Sequence, residues 1–253
     1  MKGLFVTGTD TNVGKTWVGQ HLIPALCKKG IEVIPRKPIE SGWDEDNEEN
    51  SDAWKLANAA NQLDQLDNVC PNRFSHPISP VRAAAIEGVT LSIAKIKDQC
   101  INNMIEEYSQ NTPPHFYMTA SNNNKNTFLY VEGAGGFYSP LCADGLNADL
   151  ACALELPVLL IAENRLGCIN QVLLTVEAIK RRGLVLSAIV LNDTSNKRDS
   201  ADFNSEMNNH KDLLGMVSCP IVSIQHNQNK SAFDNLALLI LELNKYNLCA
   251  KKI

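Results

Sequence analysis

The sequence predicts an α/β protein: one doubly wound, mostly parallel sheet with helices on both faces. Three observations carry that expectation. Apolar, strand-like runs alternate with segments at helical spacing. Several of those runs are continuously apolar instead of alternating, as strands buried on both faces are. The first run, Leu4-Phe5-Val6, leads directly into a glycine-containing loop that opens a helix. Strand–helix alternation requires crossover connections and hence parallel pairing. The chain of 253 residues is long enough for one large α/β domain. No repeat or linker divides it, so 1–253 reads as a single domain.

Taken in order, residues 15–29 place Trp17, Val18, Leu22, Ile23 and Leu26 at helical spacing and end in Lys28-Lys29-Gly30, a helix stop. Pro24 falls inside and is expected to kink or shorten that helix. A strand follows at Glu32–Arg36 and delivers Lys37-Pro38-Ile39-Glu40-Ser41-Gly42 at its C-terminal end. Ser51-Asp52-Ala53-Trp54 reads as the next helix start, with Ser51 or Asp52 at the cap. Residues 67–82, with Pro71, Pro77 and Pro80, read as irregular, and a helical pattern resumes over 91–108. The polar, proline- and asparagine-rich stretch 109–126 reads as a surface excursion. Phe128–Val131 is the next strand, ending at Glu132-Gly133-Ala134-Gly135-Gly136. A helix near 146–154, a strand at 157–162, a helix at 168–182 and a strand at 188–191 ending at Asn192-Asp193 follow. A helix near 200–211, a strand near 216–223 and a helix near 231–245 complete the chain.

Composition narrows the function. Net charge is −5 with no sustained basic run, which argues against nucleic-acid or anionic-membrane partners. The 8 cysteines fall singly, with no Cys-x-x-Cys pair, and the 5 histidines show no zinc spacing. No apolar run approaches a bilayer span, and the first strand begins at once, leaving no room for a signal peptide. A cytoplasmic, reducing compartment is the expectation.

The stretch Gly8-Thr9-Asp10-Thr11-Asn12-Val13-Gly14-Lys15-Thr16 carries the chemistry. Strand, glycine loop, Lys-Thr and helix form the layout of a phosphate-binding loop. Backbone N–H groups at the helix N-terminus face the phosphates, the lysine reaches the outer phosphates, and the threonine hydroxyl holds Mg²⁺. The usual spacing puts the first glycine at position 9; here it stands at Gly8, a variant of the motif. The other polar motifs also fall just after strands: Lys37 with Ser41, Glu132, Arg165, and Asn192-Asp193. In a doubly wound sheet they converge on one edge, where ligands sit.

Each keeps a plainer reading beside it. Lys37 is either a solvated lysine or a second cation beside Lys15. Glu132 is a turn-stabilising acid or a Mg²⁺ partner, and Asp52 alone reads as a helix cap. Asn192 is an ordinary turn residue or the amide that reads a purine edge. Gly133-Ala134-Gly135-Gly136 lets the backbone approach a ligand closely. No nucleophile elbow or Cys–His neighbour suggests covalent catalysis. The residues by themselves indicate a Mg²⁺-nucleotide phosphotransferase or ligase, or an ATP-driven switch.

These motifs in this order resemble the dethiobiotin synthetases, P-loop enzymes that close the ureido ring in biotin synthesis. The resemblance rests on Thr7–Thr11 with Val13–Thr16, Lys37-Pro38 with Ser41-Gly42, Asn50–Ala53, Val131–Gly136, Leu166–Asn170 and Asn192-Asp193. It implies ATP- and Mg²⁺-dependent carboxylation of 7,8-diaminononanoate with CO₂ or bicarbonate, through a carbamate and a carbamic–phosphoric anhydride. By position it makes Lys15 and Lys37 catalytic and gives Mg²⁺ to Thr16, Asp52 and Glu132. The nucleotide falls to Thr11, Asn12, Val13, Gly14, Lys15, Thr16, Trp17, Asp52, Glu132, Gly133, Ala134, Gly135, Asn192 and Asp193. Substrate falls to Lys37, Ser41, Gly167, Cys168, Ile169 and Asn170, the last four from a second copy in a homodimer. Two departures stand out: Asn12 replaces a commonly acidic residue, and Arg165 a lysine. The rival reading is a partitioning or maturation ATPase of the same broad fold. Those proteins place Lys-Gly-Gly where this chain has Asp10-Thr11-Asn12.

Overall fold

The computed structural model describes residues 2–109, 126–193, 208–225 and 229–250. The chain begins with β1 (Gly3–Gly8), α1 (Lys15–Cys27), β2 (Glu32–Arg36), β3 (Ile39–Ser41) and α2 (Asp52–Ala59). Short elements follow, α3 (Leu66–Val69), β4 (Asn72–Phe74) and α4 (Pro80–Ile86), and then α5 (Ile93–Ser109). Next come β5 (Thr127–Gly136), β6 (Pro140–Cys142), β7 (Gly145–Leu146), α6 (Asn147–Leu154), β8 (Val158–Glu163) and α7 (Cys168–Arg181). The last four are β9 (Leu186–Asp193), α8 (Asn209–Leu214), β10 (Ile221–Gln225) and α9 (Asn229–Ala250).

The main sheet has six strands in the order β10-β9-β8-β1-β5-β2, and every neighbouring pair is parallel. Alternate residues of the strands feed opposite faces. Leu4 and Val6 of β1 pack with α1 and α9, whereas Phe5 packs with α5 and α6. A further cluster joins β8 and β9 to α7 and α8. The sheet is therefore doubly wound, as its continuous apolar runs predict. Two short ladders lie outside it, β3 with β4 in parallel and β6 with β7 antiparallel.

β1 and β5 are neighbours, yet their connections leave on opposite faces, toward α1 and toward α6. That reversal opens the crevice at the carboxyl end of β1. β2, with Pro35, is one of the two edge strands of the sheet, a place where a residue without an N–H is tolerated.

Several boundaries differ from the sequence reading. α1 runs through Pro24 to Cys27, because Pro24 lies on the half-buried side and Lys28 N closes the last turn on its carbonyl at 3.0 Å. Residues 67–82 are not wholly irregular; they hold most of α3, β4 and the start of α4, elements too short to show a period. Pro80 begins α4, a position where its missing N–H costs nothing. The last strand lies at Ile221–Gln225, displaced from 216–223 because Pro220 precedes it and its carbonyl already accepts Ile189 N. α8 occupies Asn209–Leu214, beyond the expected end; residues 200–207 of the predicted helix lie outside the described residues, as does the excursion at 110–125.

Candidate active site

The phosphate loop explains its own irregular glycine. A Cβ on Gly8 would sit 2.7 Å from Asp10 O and 2.7 Å from Val13 Cγ2, closer than real contacts allow. The loop folds back over the end of β1, so glycine is required at position 8. Thr9 is instead tied to the sheet through Ile161 O at 2.9 Å. Asn12 has φ 59° and Gly14 φ 91°, both left-handed. Asparagine tolerates that conformation better than most residues, which gives Asn12 a backbone reason to stand there.

Lys15 is the first residue of α1 and is 7 % exposed. Its Nζ donates to Asp10 O at 3.0 Å, so the ammonium curls back over its own loop. Burial, and then the neighbouring Lys37, lower its pKa to about 8. A cation so placed is primed for anionic phosphate.

Lys37 leaves β2 and crosses toward β5, its backbone N–H held by Val69 O at 2.8 Å. Nζ donates to Glu132 Oε1 at 2.6 Å and to Asp52 Oδ2 at 2.9 Å. Burial would discharge it, but Asp52, Glu132 and Glu40 together hold its pKa above the ordinary lysine value. The solvated reading of Lys37 is therefore wrong: it is 4 % exposed. Thr16 Oγ1 donates to the same Oε1 of Glu132 at 2.8 Å, joining the phosphate loop to Lys37 through one oxygen.

Glu132 is fully buried, within β5 and not at a turn. Burial raises its pKa despite the opposing pull of Lys37. Its second oxygen, Oε2, is buried without a hydrogen-bond partner. Asp52 is not the cap of α2. Ser51 is, accepting Trp54 N at 3.1 Å, which frees the Asp52 carboxylate for Lys37. Burial would raise the Asp52 pKa, but the Lys37 ammonium overrides it and holds it at about 2. Thr16, Asp52 and the unpartnered Glu132 oxygen are hard oxygen donors around one point. That set suits a small divalent cation that takes its remaining ligands from phosphates and water.

Asn192 and Asp193 are the last residues of β9, so the turn reading fails. Asn192 Nδ2 donates to Val13 O of the phosphate loop at 3.0 Å, while its Oδ1 is buried without a hydrogen-bond partner. An acceptor of that kind matches an exocyclic amine. Gly133 leaves room for Asn147, whose Oδ1 a Cβ there would approach to 2.7 Å. Asn147 accepts from Ala134 N at 3.0 Å and donates to Ala134 O at 2.7 Å. The space at Gly133 is thus filled by protein. Gly136 lies against the phosphate loop, where an added Cβ would be 3.5 Å from Gly8 O and Thr9 O.

Other predicted site residues stand farther out. Trp17 packs beside His21 and Phe233, with ring centroids at 4.6 and 5.6 Å, on the α1–α9 face. Thr11 is exposed, its N–H on Asp10 Oδ1. Ser41 is half-buried on β3. Gly167, at φ 88°, is the residue that precedes α7, Cys168 is buried at the helix start, and Ile169 packs toward the β8–β9 cluster. Arg165 reaches Glu163 and Gln171, both at 3.1 Å, and does not join the Lys37 group. Beyond Ser41 opens a cleft of about 790 Å³, lined among others by Trp43, Asp44, Glu45, Glu48 and Glu87. Its lining includes Arg73 and none of Lys15, Thr16, Lys37, Asp52 or Glu132. Sequence reasoning missed Glu40 and Asn147, though Glu40 stands between the two predicted residues Lys37 and Ser41.

A parallel, doubly wound sheet with a lysine-bearing phosphate loop at its switch point defines a nucleotide-binding P-loop protein. The family model described as AAA domain matches residues 2–231. A chain of the MinC:MinD cell division protein complex of Aquifex aeolicus shares the fold, with a TM-score of 0.51 at 12 % identity, covering 98 % of this chain and 96 % of that one. The ATP-dependent dethiobiotin synthetase BioD of Anaeromyxobacter dehalogenans is 40 % identical over 199 residues, 79 % of this chain and 80 % of that protein. That of Vesicomyosocius okutanii is 32 % identical over 233 residues, 91 % and 93 % of the two chains. The chain belongs to the dethiobiotin synthetase family of cyclo-ligases. The switch-ATPase alternative is not favoured, since the likeness to MinD is one of fold alone.

Proposed function

We propose that the protein is an ATP-dependent dethiobiotin synthetase that forms a cyclic urea from 7,8-diaminononanoate, CO₂ and ATP. The observation that carries this reading is Lys37, fixed between Glu132 at 2.6 Å and Asp52 at 2.9 Å, with Thr16 of the phosphate loop on the same Glu132 oxygen. A partitioning-type switch carries its second lysine within the phosphate loop, where this chain has Asp10, whereas Lys37 comes from the end of β2. Two buried lysines sharing a carboxylate cluster suit a reaction in which two anions, carbamate and γ-phosphate, must meet.

One substrate amine adds to CO₂ and loses a proton, giving a carbamate. A carbamate oxygen attacks the γ-phosphorus and ADP leaves. The second amine attacks the carbonyl carbon of the mixed anhydride, closing the ring and expelling phosphate. Phosphorylation turns a poor leaving oxygen into a good one, so the residues mainly position and neutralise. Lys15 and Lys37 offset the charge that accumulates as the two anions approach. Ser41 orients the diamine or carbamate, and Asn192 reads the adenine amine. Bound through Thr16, Asp52 and Glu132, Mg²⁺ would neutralise phosphate charge. The backbone from Thr11 to Trp17, with Ala134, Gly135 and Asp193, is assigned to the nucleotide, while Gly133 makes room for Asn147.

The substrate's carboxylate tail is assigned to the α7 N-terminus, Gly167–Asn170, of a second copy in a homodimer. No described helix is long and apolar enough to cross a membrane, and the cytoplasm is the proposed site of action. ADP release that requires both the diamine and bicarbonate supports the reading. ATP hydrolysis indifferent to the diamine overturns it in favour of a switch.

A further inference from the structure

Glu40 lies on β3, one residue before Ser41, and is 9 % exposed. Its Oε1 accepts Asp52 N at 2.7 Å and its Oε2 accepts Ala53 N at 2.9 Å. Those N–H groups open α2 and have no acceptor inside the helix. Ser51 Oγ takes Trp54 N, so side chains hold three successive donors. The result ties the start of α2 to β3, and with it the two residues assigned to opposite partners, Asp52 and Ser41. Any slip between the two elements would carry Asp52 Oδ2 away from Lys37.

Helix capping alone does not call for this residue. A neutral side chain satisfies such donors, whereas a second buried carboxylate beside Glu132, near the half-exposed Asp52, costs desolvation and like-charge repulsion. What the carboxylate adds is two simultaneous, charge-assisted bonds that leave the helix start one position to occupy.

We propose that Glu40 is a positioning residue: it clamps the α2 N-terminus to β3 so that Asp52 meets Lys37 and the metal–nucleotide in a fixed place relative to Ser41. This rests on the assignment of Asp52 as a Mg²⁺ donor, and the test separates the two. ADP affinity is measured by calorimetry with and without Mg²⁺ for the parent, Glu40→Gln and Asp52→Asn, alongside turnover and melting temperature. Glu40→Gln keeps the shape but can no longer accept from both N–H groups. The expected result is parental affinity for ADP alone, with the gain in affinity on adding Mg²⁺ reduced about ten- to a hundredfold and kcat reduced with it. A merely structural role would lower the melting temperature and leave the Mg²⁺ gain intact, which would overturn the proposal. If Asp52→Asn loses the gain and Glu40→Gln keeps it, the Glu40 clamp alone fails. If Asp52→Asn keeps it, the metal assignment falls and the clamp with it. Should Glu40→Gln not fold, Glu40→Ala, with space for water at the two donors, is read by the same criterion.

Discussion

Truncating Lys37 to alanine removes the cation from between Glu132 and Asp52, which lie 2.6 and 2.9 Å from its Nζ. Glu132 is fully buried, keeps one donor in Thr16, and already has one oxygen without a partner. Breaking a buried ion pair from one side costs about 3–5 kcal/mol, because the remaining charge is uncompensated. In a chain of this size each kcal/mol moves Tm by about 2–4 °C, so Lys37→Ala should melt roughly 6–20 °C lower. Its loss of phosphoryl-transfer rate should be about a hundred- to a thousandfold, the usual effect of removing one preorganised group at a developing charge. The two effects separate in Lys37→Met/Glu132→Gln. Replacing both partners removes the stranded charge, so Tm should recover most of the loss while turnover stays low. Scanning calorimetry and an ADP-release assay on the two variants decide it. A single variant that melts with the parent, or a double variant no more stable than the single, would refute the reasoning.

Further outcomes follow from the same cluster. With the Lys15 pKa near 8 in the free protein, phosphate binding must raise it; nucleotide affinity should be flat below pH 8 and fall up to about tenfold per unit above it. Calorimetry in buffers of different ionisation enthalpy should show proton uptake over that range, and flat affinity to pH 10 would contradict it. Asp52 titrates lower in the folded protein than its ordinary 3.8, so its contribution to stability is complete above pH 4 and disappears as pH falls through about 2. Acid unfolding of Asp52→Asn should lack that component. Gly8→Ala puts a methyl 2.7 Å from Asp10 O and should abolish nucleotide binding while far-UV circular dichroism is unchanged. Asn192→Leu removes the carboxamide oxygen assigned to the adenine amine and should weaken ADP binding about tenfold, the effect of losing one hydrogen bond of about 1.4 kcal/mol.

The layers of the fold were legible because its strands are buried on both faces. Leu4–Val6, Phe128–Val131 and Val158–Ala162 have no exposed side to break their apolar runs. Elements of three or four residues, such as α3 and β4, lacked the length to show a period. The phosphate loop was legible for a local reason, since strand, loop and helix are contiguous. Convergence of the rest was not local. Lys37 and Glu132 are 95 residues apart and meet only because β5 inserts between β1 and β2. Asp52 was ambiguous until Ser51 took the cap. Glu40 and Asn147 showed no signal, because their work is to bind backbone N–H and carbonyl groups of segments distant in sequence, and backbone groups leave no residue type to read. The glycines at 133 and 136 read in the sequence as room for a ligand, but the space at Gly133 is taken by Asn147 and Gly136 lies in ordinary contact with the phosphate loop.

Ring formation can be followed directly by mass. With ¹³C-bicarbonate, the diamine and ATP, the product should carry one labelled carbon, and its amount should equal the ADP released. Unlabelled product, or ADP that accumulates with no cyclised diamine, would contradict the synthetase account.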